Sequence, residues 1–340
     1  MKALWMQCFP EDDESYINLF YSYYGHPRYH HTIEEGGKVI SMLHHIDTYR
    51  YNLFDKNLRC SYIYAACTAP EQQGKGLMGQ LMEKTLLTLH EKHIPLCVTI
   101  PAKEELFAFY GRFGFVPAFK RWYDRWRCSG LPYYRYTEMS LQHNIPQEVA
   151  VEWLTTAINS RFTGNMRHTQ RDIRFVVEST LQSGGFVVGM VNGEGELRGI
   201  AIGDKTRQAL RVRDFTTVSP RDISYFIDLL RCSTQLHFWL ELTEPNARET
   251  FFGAARIVDL PLLMKRTESS LRTREEETFY IKDPIISANN GLYQFADRHF
   301  SFLPCLPPEH AEDGIPVYDI AEYTRKLFEI EPGHMTLMMD

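Results

Sequence analysis

Three glycines, Gly74, Gly76 and Gly79, fall within six positions of the stretch "APEQQGKGLMGQLMEKTL" (residues 69–86), and an apolar pattern at helical spacing follows directly. A helix that starts just after a strand leaves its first N–H groups unpaired. Its dipole adds partial positive charge there, so the place favours a phosphate. Gly74 and Gly76 let the main chain approach such an anion closely, while Gln73 and Lys75 add a donor and a cation. A P-loop would need GxxxxGK followed by Ser or Thr, and no GxGxxG frame fits. From the loop alone two readings stand: a diphosphate cradle, or a strand-to-helix turn that uses glycine for shape.

A second candidate is Tyr110, in "FYGRFGFVPA" (residues 109–118). A phenol with a reference pKa of about 10 stays protonated at neutral pH and can donate to a departing thiolate. By periodicity alone Tyr110 also reads as an aromatic on a core helix face, beside Phe107 and Phe109. Cys67 could serve as an acyl-transfer nucleophile, but no partner histidine is identifiable, and a buried inert thiol is the simpler reading. His30, His31, His44 and His45 fall on the two arms of an expected hairpin, with His31 and His44 as diagonal neighbours; a metal site there lacks an evident third ligand. His90 and His93 are expected to satisfy the carbonyls of a helix end.

These residues need a scaffold, and the chain outlines one. A helix is expected over 13–24, then a hairpin around Gly36–Gly37, then the buried strand "CSYIYAACTAP". The glycine loop follows, with a helix whose apolar face runs from Leu77 through Leu89 to about His93. "IPLCVTIPA" reads as the next buried strand, "EELFAFYGRF" as a short helix, and the segment through Trp122 and Trp126 as an aromatic strand. Residues 140–255 repeat the coarse pattern without the glycine loop. From "ARIVDLPLLMKR" onward the pattern changes again, giving expected domains of 1–139, 140–255 and 256–340.

Composition sets limits. At 340 residues the chain exceeds one ordinary core, and a formal charge of −6 gives no electrostatic ground for a nucleic-acid partner. Seven cysteines without a CxxC pair suit reduced thiols and a cytoplasmic location. The amino terminus lacks a signal-peptide core, and no segment reaches a membrane span, so no membrane partner is expected.

"QGKGLMG" (Gln73 to Gly79) resembles motif A of the GNAT superfamily of N-acetyltransferases, Gln/Arg-x-x-Gly-x-Gly/Ala, with Met78 where that pattern usually has Gly or Ala. The resemblance implies that Gln73, Gly74, Lys75, Gly76, Leu77, Met78 and Gly79 cradle the pyrophosphate of acetyl-CoA. It also implies that the strand through Ala66, Cys67 and Thr68 splays from its neighbour to meet the pantetheine arm and the thioester oxygen. "YGRFGF" resembles the Eis family, tandem GNAT enzymes with a sterol-carrier-like carboxy-terminal domain, and this likeness covers the whole chain. By it, Tyr110 protonates the coenzyme A thiolate and the α-carboxylate of Asp340 is the base, although Asp340 departs from the family's aromatic ending.

The fold expected is therefore mixed α/β: two tandem GNAT folds and a small sterol-carrier-like α+β domain. The function expected is acetyl-CoA-dependent acetylation of a small cationic primary amine, a polyamine or aminoglycoside-like molecule, held by aromatic walls with carboxylates such as Glu34 and Glu35. The alternative is a non-catalytic acyl-CoA or lipid-binding carrier. Assembly into a homo-oligomer is expected from the same resemblance.

Overall fold

A computed structural model describes the chain except residues 127–138, 162–163, 208, 233–236, 243–247, 271–275, 298, 310–313 and 340. It divides into two compact units, each described by itself below. Unit 1 gathers residues 1–119, 162–167 and 251–334; unit 2 gathers 120–161, 168–250 and 335–340. The divisions expected at 139 and 255 therefore do not coincide with these units. Residues 251–334 join the amino-terminal domain, and the final segment joins unit 2.

Unit 1 opens with α1 (Lys2–Cys8) and α2 (Glu14–Tyr24). The Asp13 carboxylate caps α2 by accepting from the Tyr16 N–H at 2.7 Å, and Ile17, Phe20 and Tyr24 put one buried face inward. Strands β1 (His30–Glu35) and β2 (Lys38–Ile46) form the expected hairpin around Gly36–Gly37. Its register places His30 directly opposite His44, and ring contacts pair His31 with His45, rather than His31 with His44. Next come β3 (Arg50–Leu53), β4 (Lys56–Thr68), α3 (Leu77–Glu91), β5 (Leu96–Thr99) and α4 (Glu105–Gly111). Leu81, Met82, Thr85, Leu86 and Leu89 are the buried face of α3, as the spacing predicts.

The chain leaves along β6 (Val116–Trp126) into unit 2. There, β7 (Met139–Gln142), α5 (Gln147–Asn159), α6 (Gln170–Gln182), β9 (Phe186–Asn192), β10 (Leu197–Lys205), β11 (Ala209–Thr217), α7 (Asp222–Cys232) and β12 (His237–Leu242) follow in order. The short β8 (Asn165–Arg167), between α5 and α6, pairs with β3 and belongs to unit 1. The strand order β6-β12-β11-β10-β9-β7 makes one sheet, with the parallel β11–β12 pair bridged by α7. Its core gathers Val188, Met190, Ala201, Leu210, Val212, Phe226 and Leu230.

The remaining elements return to unit 1. β13 (Arg248–Ile257) pairs antiparallel with β5 over Ala254–Ile257, which is the physical reason the carboxy-terminal segment joins the first domain. Then α8 (Leu260–Thr267), β14 (Glu277–Lys282), β15 (Gly291–Ala296), β16 (His299–Pro304), β17 (Val317–Asp319) and α9 (Ile320–Ile330) build a separate four-stranded sheet in the order β16-β15-β14-β17. Phe279, Tyr293 and Tyr323, all buried, fill its interior, with the Phe279 ring 4.7 Å from Tyr323 and 5.5 Å from Tyr293. Among the described residues, no helix is long and apolar enough to cross a membrane.

Candidate active site

The site is built on a strand that loses its neighbour. β4 runs parallel to β5 only from Cys60 to Ile63, the last pair being Ile63 with Thr99. Just beyond, β4 takes an extra residue: Met42 faces Cys67 while His44 faces Tyr64, and Ala65 sits at φ +46. Such a bulge bends and twists its strand. Ala66, Cys67 and Thr68 continue past the end of the β5 pairing while their other edge stays bound to β2.

The glycine loop then delivers the start of α3. Gly74 and Gly76 have φ values of +79 and +76, which side chains rarely adopt, and Gly76 is the residue before the helix. No side chain caps this end. A Cβ built on Gly74 or Gly76 meets nothing within 4 Å, so both face open space rather than packed protein. Exposed Lys75 donates to Gln72 at 2.6 Å, and Gln73 donates to the Thr68 carbonyl at 3.2 Å. Gln72 in turn donates to Glu35 at 3.1 Å. Glu35 therefore sits beside the glycine loop, and Glu34 is exposed next to it.

Tyr110 completes the site. It lies near the end of α4, buried in the cluster that also holds Leu81, Met82, Phe113 and Phe115. Its phenol lies beside the Thr99 side chain, and Thr99 Oγ1 donates to the Ile63 carbonyl at 3.2 Å. The hydroxyl is thereby referenced to the point where β4 and β5 part. Burial pushes the Tyr110 phenol up, against the opposing effect of the Thr99 hydroxyl. It stays protonated at neutral pH. Phe113, one turn on, lies 3.7 Å from where a Cβ on Gly79 would stand, so α4 packs on the first turn of α3.

Thr99 is a site residue that sequence reasoning does not single out. Its signal is slight: one hydroxyl in the otherwise apolar run "LCVTI".

The other candidates fall elsewhere. Burial pushes the Cys67 thiol up, so it is a protonated thiol, unsuited to act as a nucleophile. His90 and His93 do not serve helix carbonyls through their rings; both Nδ1 atoms lie 3.8 Å from Asp259 Oδ2. Burial holds His44 and His45 at about 3 and His31 at about 4, so they are neutral rings inside the fold. Trp5, Phe20 and Tyr21 pack around His44, and the Tyr16 and Tyr64 hydroxyls share a 2.7 Å hydrogen bond. The side chains of the Trp122–Tyr136 aromatic segment lie outside the described residues, as does Asp340. The segment leading to Asp340 is held within unit 2: Met335, Leu337, Met338 and Met339 are buried, Arg213 donates to the Met338 carbonyl at 2.8 Å, and Thr336 donates to Asp214 at 2.5 Å.

Residues 1–118 match the family model of the acetyltransferase (GNAT) domain. The chain as a whole has the fold of a protein from Enterococcus faecalis V583 described as a probable N-acyltransferase, with a TM-score of 0.76 at 13% identity over 95% of this chain and 85% of that one. It is also similar to a GCN5-related N-acetyltransferase from Anabaena variabilis ATCC 29413 (TM-score 0.71, 16% identity, 98% and 95% covered). Eis1 from Mycobacterium abscessus aligns with a TM-score of 0.60 at 12% identity, covering 91% of this chain and 85% of that one. None of the curated proteins compared matches the chain.

Proposed function

We propose that the protein transfers an acetyl group from acetyl-CoA to a small, cationic primary amine. The observation that carries this is the convergence in unit 1 of the β4–β5 fork, the open amino terminus of α3 and the Tyr110 hydroxyl. The free amides at Leu77, Met78 and Gly79, with Lys75 at the rim, suit a pyrophosphate. The main chain of Ala66, Cys67 and Thr68 suits an extended amide-bearing arm, which would bind as an added strand does. The co-substrate supplies the thioester. The protein's part is to align that thioester at the fork and to hold a proton on Tyr110 for the sulfur that leaves.

The α-carboxylate of Asp340 is retained as the proposed base on the sequence resemblance alone. An Eis-type kinship is supported by the fold likeness to Eis1. A cationic acceptor is supported by the acidic balance of the chain, −6 overall.

The test is an assay of purified protein with acetyl-CoA across a panel of polyamines, aminoglycosides and lysine peptides, following release of free thiol. Transfer to a small amine is expected. Thiol release with none of them would remove the acceptor class, and with it the transferase reading.

A further inference from the structure

The second half of the motif FYGRFGF is explained by a residue far away in sequence. Arg256, on β13, is fully buried and sends Nε to the Phe113 carbonyl at 2.5 Å. Its Nη1 donates to the Ile257 carbonyl at 2.9 Å, and its Nη2 donates to both oxygens of Asp283, at 2.8 and 3.0 Å. Gly114, at φ +81, lies under this guanidinium: a Cβ there would come within 3.0 Å of Arg256 Nε and 3.1 Å of Ile320. The glycine is needed both for its backbone angle and for the space that Arg256 occupies.

Asp283 is itself saturated. Its carboxylate accepts from the N–H groups of Ile285 and Ile286 and from Asn289 Nδ2, and Asn289 also donates to the Val258 carbonyl and accepts from the Leu260 N–H. Stability alone is a poor reason for such a pair, since well-packed apolar residues often do as well in its place. What the pair adds is a contact to the turn after α4, through Arg256 Nε and the Phe113 carbonyl. In that turn the N–H groups of Phe113 and Phe115 both bond to the Tyr110 carbonyl, at 2.9 and 3.3 Å. The strand that carries Arg256 also carries Ala254, which pairs with Thr99, the neighbour of the Tyr110 phenol.

We propose that Arg256, held by Asp283, is a positioning residue that fixes the end of α4 so that the Tyr110 hydroxyl stays at the β4–β5 fork. The segment 251–334 is then a buttress of the catalytic helix. For its catalytic consequence this inference rests on the transferase reading above.

Arg256→Lys separates the roles, because a lysine keeps a cation for Asp283 but has no second nitrogen for the Phe113 carbonyl. The expected result is a fall in kcat of about tenfold or more, since small misplacements of a reacting group cost that much. The affinity for coenzyme A by calorimetry should stay unchanged, and amide exchange should quicken across residues 110–115 but not along α3. The double variant Arg256→Met/Asp283→Leu removes both charges; its thermal midpoint should return toward that of the native protein while kcat stays low. A kcat that recovers together with the midpoint would make the pair merely structural and overturn the proposal. So would native exchange at residues 110–115 in both variants. If the native protein acetylates no amine, the transferase reading fails by itself, and the exchange experiment still decides whether Arg256 holds the Tyr110 turn.

Discussion

The Tyr110 phenol lies beside the Thr99 side chain at the last point where β4 and β5 face one another. On the proposed reading, this placement makes an aromatic in a packed cluster the proton donor. Deleting the hydroxyl in Tyr110→Phe leaves the ring and its packing in place. It should lower kcat by about a hundredfold, the usual order for loss of a general acid, with little change in acetyl-CoA affinity. Stopped-assay kinetics with calorimetry would show this; equal losses in both quantities would mean the ring, not the proton, matters.

Thr99→Val tests the same contact from the other side. It removes the hydroxyl that opposes the rise of the phenol pKa, leaving burial unchecked. The alkaline limb of the kcat profile should then move to higher pH, and kcat at neutral pH should fall less than in Tyr110→Phe. An unmoved alkaline limb would detach Thr99 from catalysis.

Acid should unfold unit 1 through its histidines. Burial depresses the pKa of His44 and His45 to about 3, far below the value of about 6.5 for an unfolded chain. The unfolded state therefore binds more protons between those limits. The stability that these neutral rings allow is complete above pH ~6.5 and is lost as pH falls toward their folded values. The slope is about 1.4 kcal/mol per pH unit for each buried histidine. His44→Phe, which keeps a ring among Trp5, Phe20 and Tyr21, should flatten the midpoint-versus-pH curve between pH 6 and about 4 relative to the native protein. Parallel curves would contradict this account.

The carboxy-terminal tail offers a separation of structure from chemistry. Removing residues 335–340 strips four buried apolar side chains, Met335, Leu337, Met338 and Met339, from unit 2. Each should cost about 1.5 to 3 kcal/mol, so unit 2 should unfold at lower denaturant concentration. Removing Asp340 moves the terminal α-carboxylate one residue back, onto buried Met339, and should reduce kcat if the base must stand where the Asp340 carboxylate does. Full activity in the chain ending at Met339 would show that the base lies elsewhere.

Cys67 lies on the cofactor strand, and a covalent acyl-enzyme would require its thiol. Because that thiol is buried and raised, Cys67→Ala should retain kcat within about twofold and show no loss of an acylated intermediate by mass spectrometry. A collapse of turnover in this variant would argue for a nucleophilic route.

Local patterns made the glycine loop and the helix start after it legible. Gly74, Gly76 and the face from Leu81 to Leu89 declare a turn with positive φ and a helix start, because both depend on residues close in sequence. Tyr110 was found through its motif. Thr99 was not, because a lone hydroxyl in an apolar strand means nothing until Tyr110 is folded against it. The reason for Gly114 was equally hidden, since Arg256 and Asp283 lie in the carboxy-terminal segment and meet it only through β13. Sequence spacing also misses α1, which is too short to show a full helical period, yet it buries Leu4 and Trp5. The histidine pairing differs because the β1–β2 turn sets its own register, with an irregularity at Ile33–Glu34.

The most direct test is calorimetric titration of coenzyme A into the native protein and into Gly76→Val. The added side chain would project into open space, so packing within the protein is not disturbed, while the left-handed backbone position and the approach of an anion are. One molecule bound per chain by the native protein, with affinity at least about tenfold weaker in the variant, is the predicted result. No heat with the native protein, or equal affinity in the variant, would contradict the account.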